Sequence, residues 1–532
     1  MLYKSLIILF LFSNISLALN IEEAGHLLRR TEFGPTTERL EQLLSKTRIT
    51  AAKSLFVSPP ISNKKSKYRQ FIDLSLNYES NVKKLVEQYQ KEQKPISKTD
   101  FESKHKELSR QYLSQVLKQF YKKPQMMSEA MNKRLNKKRK RIFKDIKKYE
   151  ISHAFTIMSR FFITGRDLQA WWLEEMLHSP EPLREMMTLF WHNHFATSFN
   201  KVRDSSLMAL QNHTLRQNAF EPFGKLLKAM SEDKALLLYL DAQQNHKDHP
   251  NENFARELME LFTLGLGHYT ESDIKETARA LTGFMPIFNN SKSRVFIFNP
   301  LIQDTTNKTV LGETGNFNKK DIIDILLKQK QTARHIVRKL WLYFISPTPN
   351  EALITQWSDS FYKSNYDTKA LLFTLFSSSA FYDSKANLIK SPTDYVVGSL
   401  KSFNRNLNLN PKGAHRSSKP IGSKMSKMGQ ALFIPPNVAG WSGYTEKGYK
   451  EWVTTTTLPK RESFLRGILS KSSNIQNWID WLKKYNKNSL KDNFIKIFFA
   501  LPPVETDYSS NKNTNYNIWI KEVLLDPSYQ LK

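Results

Sequence analysis

Four polar side chains that could do acid–base or metal chemistry recur at helical spacing within residues 251–267, NENFARELMELFTLGLG. At about 100° per residue, Asn253, Arg256, Glu257 and Glu260 fall within one arc of about 100°. Apolar side chains fill the opposite side, so the stretch predicts an amphipathic helix. Its polar face is either a solvated surface or a hydrogen-bonded network whose carboxylates hold a ligand or a metal ion.

Histidines form a second group of candidates, because half of the twelve lie between residues 192 and 268. His192 and His194 stand two residues apart in the predicted helix LREMMTLFWHNHF, which separates them by about 200°. Both could bind one metal ion only where the helix ends or distorts. Otherwise they are hydrogen-bonded core residues. We take Glu257, Glu260, His192 and His194 as the catalytic candidates and leave the metal and any cofactor unassigned.

The binding candidates are Asn253 and Arg256 on the central helix, together with Arg29, Arg30 and Trp441. His26 shares a predicted helical face with Arg29 and Arg30, at spacings i, i+3 and i+4. That face predicts a structural clamp on a later carboxylate, for which Glu257 or Glu260 is suitable.

Trp441 lies in GQALFIPPNVAGWSGYTEKGYKEW, residues 429–452. Its two prolines enforce an extended backbone, and its glycines permit turns around the tryptophan. The loop is either a platform on which a sugar ring stacks or a structural plug that covers the helical core.

Sequence signals mark the ends of the helices that position these residues. Asn251 is the expected N-cap of the central helix, and glycines follow its end. Thr270 and Asp273 predict a capping box on the next helix. Ser179, followed by Pro180 at the first helical position, predicts the start of the helix that carries the histidines.

Helical patterns dominate the chain, so the predicted fold is mainly α, a large multi-helix globular body with long irregular loops and few or no short strands. The predicted division is a signal peptide at 1–18, N-terminal helices of the main domain at 19–60, a basic helical insertion at 61–150, and the main helical domain at 151–532. The insertion is expected to be a helical hairpin or a partly mobile arm with few core-facing residues.

Six stretches carry a resemblance to a known family, in the same order along the chain: HLLRRTEFGP (26–35), MMTLFWHNHFAT (186–197), NENFARELMELFTLGLGHYTESDIKETARALTGF (251–284), KTVLG (308–312), TARHIVRKLWLYFISP (332–347) and GQALFIPPNVAGW (429–441). The chain thereby resembles the bacterial domain-of-unknown-function 1800 family. That family has no settled biochemical activity. Its members are often encoded beside proteins of the domain-of-unknown-function 1501 family, which resemble sulfatases and phosphatases, and this implies a possible partner.

Charge and composition narrow the class of function. The 532 residues contain no cysteine, which excludes disulfides, thiolate zinc sites and cysteine nucleophiles. The formal net charge of +30 favours anionic partners such as an acidic polysaccharide. A dense basic run at 122–148 is either a binding arm or a solvated helix face.

The N-terminus predicts export. Lys4, the apolar run LIILFLF and the small residues Ser16 and Ala18 are typical of a cleaved signal peptide, although an uncleaved anchor remains the alternative. The apolar run is shorter than the roughly 20 residues of a membrane span, and we expect no transmembrane span after signal removal. The protein is thus expected to be periplasmic or secreted, which makes nucleic acid an unsuitable partner.

Two functions follow from these patterns. The first is an exported binding or assembly factor for an anionic envelope or extracellular polymer, or for a sulfatase-like partner. The second is a hydrolase, possibly metal-dependent, that uses a Glu/His/Arg site. The chain contains no P-loop, dinucleotide fingerprint, H-E-x-x-H or G-x-S-x-G motif.

Overall fold

Helices make up most of the structure, a computed structural model that describes residues 18–57, 67–91, 98–120, 165–286, 296–385, 388–403, 414–470, 474–505 and 515–532. The prediction of a mainly α fold is confirmed. The helices of the first half are α1 (Ile21–Thr31), α2 (Thr37–Leu44), α3 (Arg48–Ser54), α4 (Lys67–Lys91), α5 (Lys98–Phe120), α6 (Gly165–His178), α7 (Pro182–His194), α8 (Phe199–Val202), α9 (Ser205–Gln217), α10 (Phe223–Met230), α11 (Lys234–Tyr239), α12 (Glu252–Glu260) and α13 (Glu271–Ala280).

The second half continues the helical pattern. Its helices are α14 (Lys319–Lys328), α15 (Lys330–Phe344), α16 (Glu351–Lys363), α17 (Thr368–Ser377), α18 (Ser379–Asp383), α19 (Pro392–Phe403), α20 (Ala414–Lys427), α21 (Leu458–Leu469), α22 (Asn474–Asn486), α23 (Leu490–Phe498) and α24 (Tyr516–Val523). Residues 428–457 connect α20 to α21 and contain the Pro435–Trp441 loop.

Two short antiparallel strand pairs interrupt the helices between α13 and α14. Strands β1 (Phe284–Pro286) and β2 (Phe296–Phe298) form the first pair, with Phe284 opposite Phe298. Strands β3 (Lys308–Val310) and β4 (Glu313–Gly315) form the second pair, with Thr309 opposite Thr314. A hydrogen bond holds the turn of the second pair against α13, since the Leu311 main-chain N–H donates to Asp273 Oδ1 at 2.7 Å.

The predicted caps are partly confirmed. Asn251 caps α12, with its side chain accepting from the Asn253 main-chain N–H at 3.0 Å. Thr270 and Asp273 form the expected capping box on α13. The predicted start of α7 is wrong by two residues, since the N-cap is Glu181 and Ser179 Oγ accepts from the Glu181 N–H within the preceding turn. A serine accepts such a bond in a local turn as readily as at an N-cap.

The hairpin of α4 and α5 packs into the core. Both helices contribute buried apolar side chains, including Phe71, Tyr78 and Tyr112, so the expectation of few core-facing residues is wrong. The Tyr112 hydroxyl joins the two hairpin helices and also reaches the body: Tyr112 Oη lies 2.9 Å from Ser75 Oγ on α4 and 3.2 Å from Ser206 Oγ on α9. Aromatic residues at helical spacing carry this packing, although the segment is rich in lysine.

Two predicted features lie outside the described residues. These are nearly all of the signal peptide and the basic run at 122–148. The described chain begins at Ala18, which forms an isolated antiparallel bridge with Thr47. Among the described helices, none combines the length and the apolar character that a membrane crossing requires.

Candidate functional site

The central helix α12 lies with its apolar face against the core. Phe254, Ala255, Leu258 and Met259 are buried, and α12 packs against α13. We call the polar face that the sequence predicts the ridge. It consists of Asn253, Arg256, Glu257 and Glu260, which are exposed or half-buried.

Three of the four polar residues of this ridge have partners. Arg256 forms a bidentate ion pair with Glu271 on α13, at 2.8 and 2.7 Å, and also contacts Glu252 at 3.1 Å. These carboxylates raise the pKa of Arg256. The Asn253 amide donates to the Leu240 carbonyl at 3.1 Å. Glu260 accepts a hydrogen bond from the Tyr269 hydroxyl.

Glu257 differs from its three neighbours. In the described part of the chain, its carboxyl takes part in no hydrogen bond and no ion pair. Partial burial, followed by the nearby charge of Glu260, raises the pKa of Glu257 to about 7, against the opposing effect of Arg256. A carboxyl with a pKa near neutrality can accept or release a proton under physiological conditions. The ridge therefore contains one group with the acid–base properties of a catalytic base.

The predicted partners of the ridge do not face it. His194 is buried at the end of α7, where its Nε2 donates to the Phe262 carbonyl at 3.2 Å. Its Nδ1 accepts from the Lys339 ammonium at 3.1 Å. Thus His194 contacts the main chain just beyond the C-terminus of α12, and the Glu257 and Glu260 carboxylates do not contact it.

Two further side chains reach the same end of α12. The Lys339 ammonium and His335 Nε2 both donate to the Leu261 carbonyl, at 3.0 Å each. Burial lowers the pKa of Lys339 to about 8 and that of His335 to about 3. Donors placed at helical C-terminal carbonyls satisfy groups that have no intrahelical partner and interact favourably with the helix dipole. His194, His335 and Lys339 therefore form a basic C-terminal cap on α12.

His192 lies on the other side of α7 in an aromatic enclosure. Its ring centroid is 5.2 Å from that of Trp172, 5.6 Å from that of Phe433 and 5.8 Å from that of Trp441. Within the described chain neither ring nitrogen has a hydrogen-bond partner, and burial lowers the pKa of His192 to about 3. The two histidines thus point to different environments, as their separation on a helix predicts.

Trp441 is 4% exposed, so it offers no platform to a sugar ring. Its main-chain N–H donates to the Asn193 side-chain oxygen at 2.7 Å, which fastens the loop onto α7. Gly440 has φ +85°, and a Cβ there would lie 2.3 Å from the same oxygen. The loop is the structural plug of the two alternatives, and the assignment of Trp441 as a binding residue is corrected accordingly.

The expected carboxylate partner of Arg29 and Arg30 is also corrected. Arg29 donates to the Ile497 carbonyl at 2.5 Å, and Arg30 donates to the Phe344 and Ile345 carbonyls at 3.0 Å each. These carbonyls lie at the C-termini of α23 and α15. Helical C-terminal carbonyls carry partial negative charge, so they serve as acceptors for arginine where a carboxylate was predicted.

The part of the chain that the structure describes contains no group of three or more His, Asp or Glu side chains placed to hold a metal ion. Residues missed at the sequence level are Tyr269, Glu271, His335 and Lys339. The i, i+4 spacing of His335 and Lys339 shows a shared face. Arg334 has the same relation to Arg338, yet Arg334 and Arg338 form ion pairs with Glu351. Spacing alone does not distinguish the capping pair from the surface pair.

Comparison with known proteins places this arrangement in a family. No curated protein and no solved structure matches the chain. The model of the family described as protein of unknown function, DUF1800, matches residues 26–531 and so includes α12, the helices that cap it and the Trp441 loop. The chain belongs to the DUF1800 family.

Proposed function

We propose that this protein is an exported binding or assembly factor for an anionic envelope or extracellular polymer. The charge carries the proposal: 80 Lys and Arg residues stand against 50 Asp and Glu residues. A third of that surplus comes from 122–148, where twelve Lys and Arg accompany only Glu129 and Asp145. A surplus of this size raises the local concentration of polyanions around a protein.

The two candidate catalytic histidines add support, because they are engaged elsewhere. His194 is bound to the main chain beyond α12, and His192 is enclosed by aromatic rings. A hydrolase built on the predicted Glu/His/Arg site needs imidazole within hydrogen-bond reach of the reacting groups. His192 packs against aromatic rings and His194 caps α12, and both arrangements favour the binding proposal. A sulfatase-like protein of the domain-of-unknown-function 1501 family remains the proposed protein partner.

The polymer proposal is tested by retention on an immobilised sulfated polysaccharide. The variant Lys137→Gln, Lys138→Gln, Arg139→Gln, Lys140→Gln removes four charges from the basic run. The matched control removes four charges from exposed lysines elsewhere: Lys320, Lys460, Lys484 and Lys487, each changed to Gln. Opposite charges in water are screened by salt, so the salt concentration at elution reports the electrostatic attraction.

We expect the wild-type protein to be retained and the 137–140 variant to elute at clearly lower salt than the control. An equal reduction in both variants would contradict a dedicated role for the basic run. Wild-type protein that is not retained at low salt would overturn the proposed function.

One observation favours a second function, which is proton transfer at Glu257. Its carboxyl is half-buried and has a pKa raised to about 7. Burial raises the pKa of Tyr239, and the charge of Glu257 raises it further. Under this alternative Glu257 acts as the base and Arg256 binds an anionic substrate. The Glu257→Gln variant would then lose all turnover while its far-UV circular dichroism stays unchanged.

A further inference from the structure

Five cationic side chains are buried together where α1, α19, α21 and the C-terminal segment meet. We call this group the buried basic cluster: Arg29, Arg30, Lys390, Arg461 and Lys532. None of the five is more than 6% exposed. The side-chain carboxylate among them is Asp394, whose Oδ2 accepts from the Lys532 ammonium at 2.6 Å. In the described structure this is the one ion pair that the cluster forms.

The other four cations donate to neutral oxygens. Arg29 and Arg30 use the helix-end carbonyls described above, and the Lys390 ammonium donates to the Tyr529 carbonyl at 2.6 Å. Arg461 donates to the Lys390 carbonyl at 3.0 Å and to the Gln530 side-chain oxygen at 3.1 Å. Such acceptors carry only partial charges, so the cluster retains a surplus of positive charge in the protein interior. Buried charge without a counter-charge is costly.

A partly enclosed void opens directly onto this cluster. Arg29, Lys390 and Asp394 line it, together with Ser402, Phe498 and Tyr529. It has room for about one particle of the size of a water molecule. Arg29 Nε and Asp394 Oδ1 are fully buried and have no hydrogen-bond partner in the described chain. Thus an unpaired cationic N–H belongs to a side chain that lines a void of ionic size.

We propose that this void binds a small inorganic monoanion, with chloride as the occupant in solution. The Arg29 Nε–H and the Lys390 ammonium are its donors. A larger oxyanion such as sulfate exceeds the space. The Asp394 carboxylate on the wall opposes any anion there, but the five buried cations of the cluster outnumber it. A bound anion offsets the charge surplus, which a water molecule does not.

The electrostatics of Lys390 agree with this assignment. Burial, followed by the charge of Arg29, lowers the pKa of Lys390 well below its ordinary value, whereas Asp394 opposes that effect. An anion between Arg29 and Lys390 supplies the missing counter-charge and links α1 to the segment before α19.

The first test compares thermal unfolding in sodium chloride with unfolding in sodium gluconate at equal ionic strength. A ligand that binds only the folded state raises Tm in a saturable way, on the order of 1–2 °C at a tenfold excess over Kd for a chain of this size. The variant Lys390→Met should lose this chloride-specific rise. Lys401→Met is the matched control, because Lys401 is a half-buried lysine on α19 that also donates to a carbonyl, that of Glu32 at 3.0 Å.

The expected result is a chloride-specific rise in the wild type and in Lys401→Met, with none in Lys390→Met. Equal Tm in chloride and gluconate for the wild type would overturn the proposal, as would a rise that persists in Lys390→Met.

The second test uses the wild-type protein, so it does not depend on the folding of any variant. Crystals grown with sodium bromide should show an anomalous difference peak within hydrogen-bond distance of Arg29 Nε and Lys390 Nζ. Bromide peaks confined to the protein surface, with the void filled by water, would overturn the proposal independently of the polymer-binding function.

Discussion

Glu257 and Glu260 lie one helical turn apart on α12, yet their carboxyls are in different electrostatic situations. Glu260 has a hydroxyl donor in Tyr269, whereas Glu257 is half-buried without a donor in the described chain. Burial without a hydrogen bond disfavours the ionised form of a carboxyl, and a neighbouring negative charge adds to that effect. These surroundings explain why the pKa of Glu257 is raised to about 7.

The first prediction concerns the pH dependence of stability. Because the pKa of Glu257 is about 7 in the folded protein and 4.5 in a free side chain, its contribution to the free energy of unfolding falls as pH rises through that window. Glu257→Gln removes this loss. From pH 5 to pH 8, we expect the free energy of unfolding of the variant to rise by about 1–2 kcal/mol relative to that of the wild type. This value is reduced because water partly screens the Glu257 carboxyl. Urea unfolding at both pH values measures it.

Glu260→Gln is the matched control for this experiment. It replaces a carboxyl that accepts from Tyr269, so we expect a loss of about 1 kcal/mol in the free energy of unfolding. An identical offset between Glu257→Gln and wild type at pH 5 and pH 8 would show that Glu257 has an ordinary pKa.

The second prediction concerns the buried imidazole of His192. Both of its ring nitrogens lack partners in the described structure, so phenylalanine should fill the aromatic enclosure without the cost of burying them. We expect His192→Phe to raise the free energy of unfolding by about 1 kcal/mol. His194→Phe should lower it by about 2–3 kcal/mol, because Lys339 and the Phe262 carbonyl lose a partner. Chemical denaturation measures both, and a large loss in His192→Phe would reveal a polar partner for that ring.

At the scale of elements, α12 is fixed from both ends by residues distant in sequence. Asn251 caps its N-terminus, whereas His194, His335 and Lys339 donate to carbonyls beyond its C-terminus. Gly265 follows with φ +83°, and a Cβ there would lie 2.9 Å from His335 Nδ1. A short helix is marginally stable by itself, so these contacts determine the orientation of the polar ridge.

The third prediction concerns the Trp441 loop. Gly440→Ala introduces a Cβ 2.3 Å from Asn193 Oδ1 at a residue with φ +85°. We expect a loss of about 2–4 kcal/mol in the free energy of unfolding, which combines backbone strain with displacement of the Asn193–Trp441 hydrogen bond. Unfolding followed by tryptophan fluorescence measures it.

Gly429→Ala separates the two contributions. Gly429 has φ +106°, but a Cβ there would meet no atom within 4 Å. Only the backbone cost of about 1–2 kcal/mol should remain. Equal losses in the two variants would mean that the contact with Asn193 contributes nothing to the docking of the loop.

The sequence predicts those features of the elements that depend on local chemistry. The amphipathic face of α12, the Asn251 cap and the Thr270–Asp273 capping box each require only neighbouring residues, and all three are confirmed. Tertiary partners do not follow from local spacing. Arg29 and Arg30 were assigned to a carboxylate, but the acceptors are main-chain carbonyls, which every residue offers and no residue type signals.

For the candidate site, too, the sequence predicts what depends on local spacing but not the tertiary contacts. The ridge of four polar residues follows from helical periodicity, whereas the environments of His192 and His194 depend on α6, α15 and the Trp441 loop. The same local geometry allows a tryptophan that follows a proline pair to form an exposed platform or a buried plug. The burial of Trp441 and its main-chain hydrogen bond to Asn193 distinguish the two.

At the scale of the whole molecule, helices and side chains from the two ends of the described chain pack against each other. α1 packs against α23, and the Arg29 guanidinium reaches carbonyls 467 and 468 positions away. Lys532 lies beside Asp394 in the same region. Residues that far apart in sequence become neighbours only when the intervening helices have folded, so these contacts couple the stability of the two ends.

The last prediction tests this coupling through the buried pair of Asp394 and Lys532. Removing one partner leaves the other charge buried, so Lys532→Met alone should lower the free energy of unfolding by about 3–5 kcal/mol. Asp394→Asn should also destabilise, since Ser391 and Lys532 both donate to Asp394 Oδ2, at 2.9 and 2.6 Å. The double variant should be more stable than the sum of the single losses predicts, with a coupling of about 1–3 kcal/mol in a denaturation cycle. Additive losses would show that the two charges act independently. The C-terminal segment would then be held by its main-chain hydrogen bonds to Lys390 and Leu388 rather than by its ion pair.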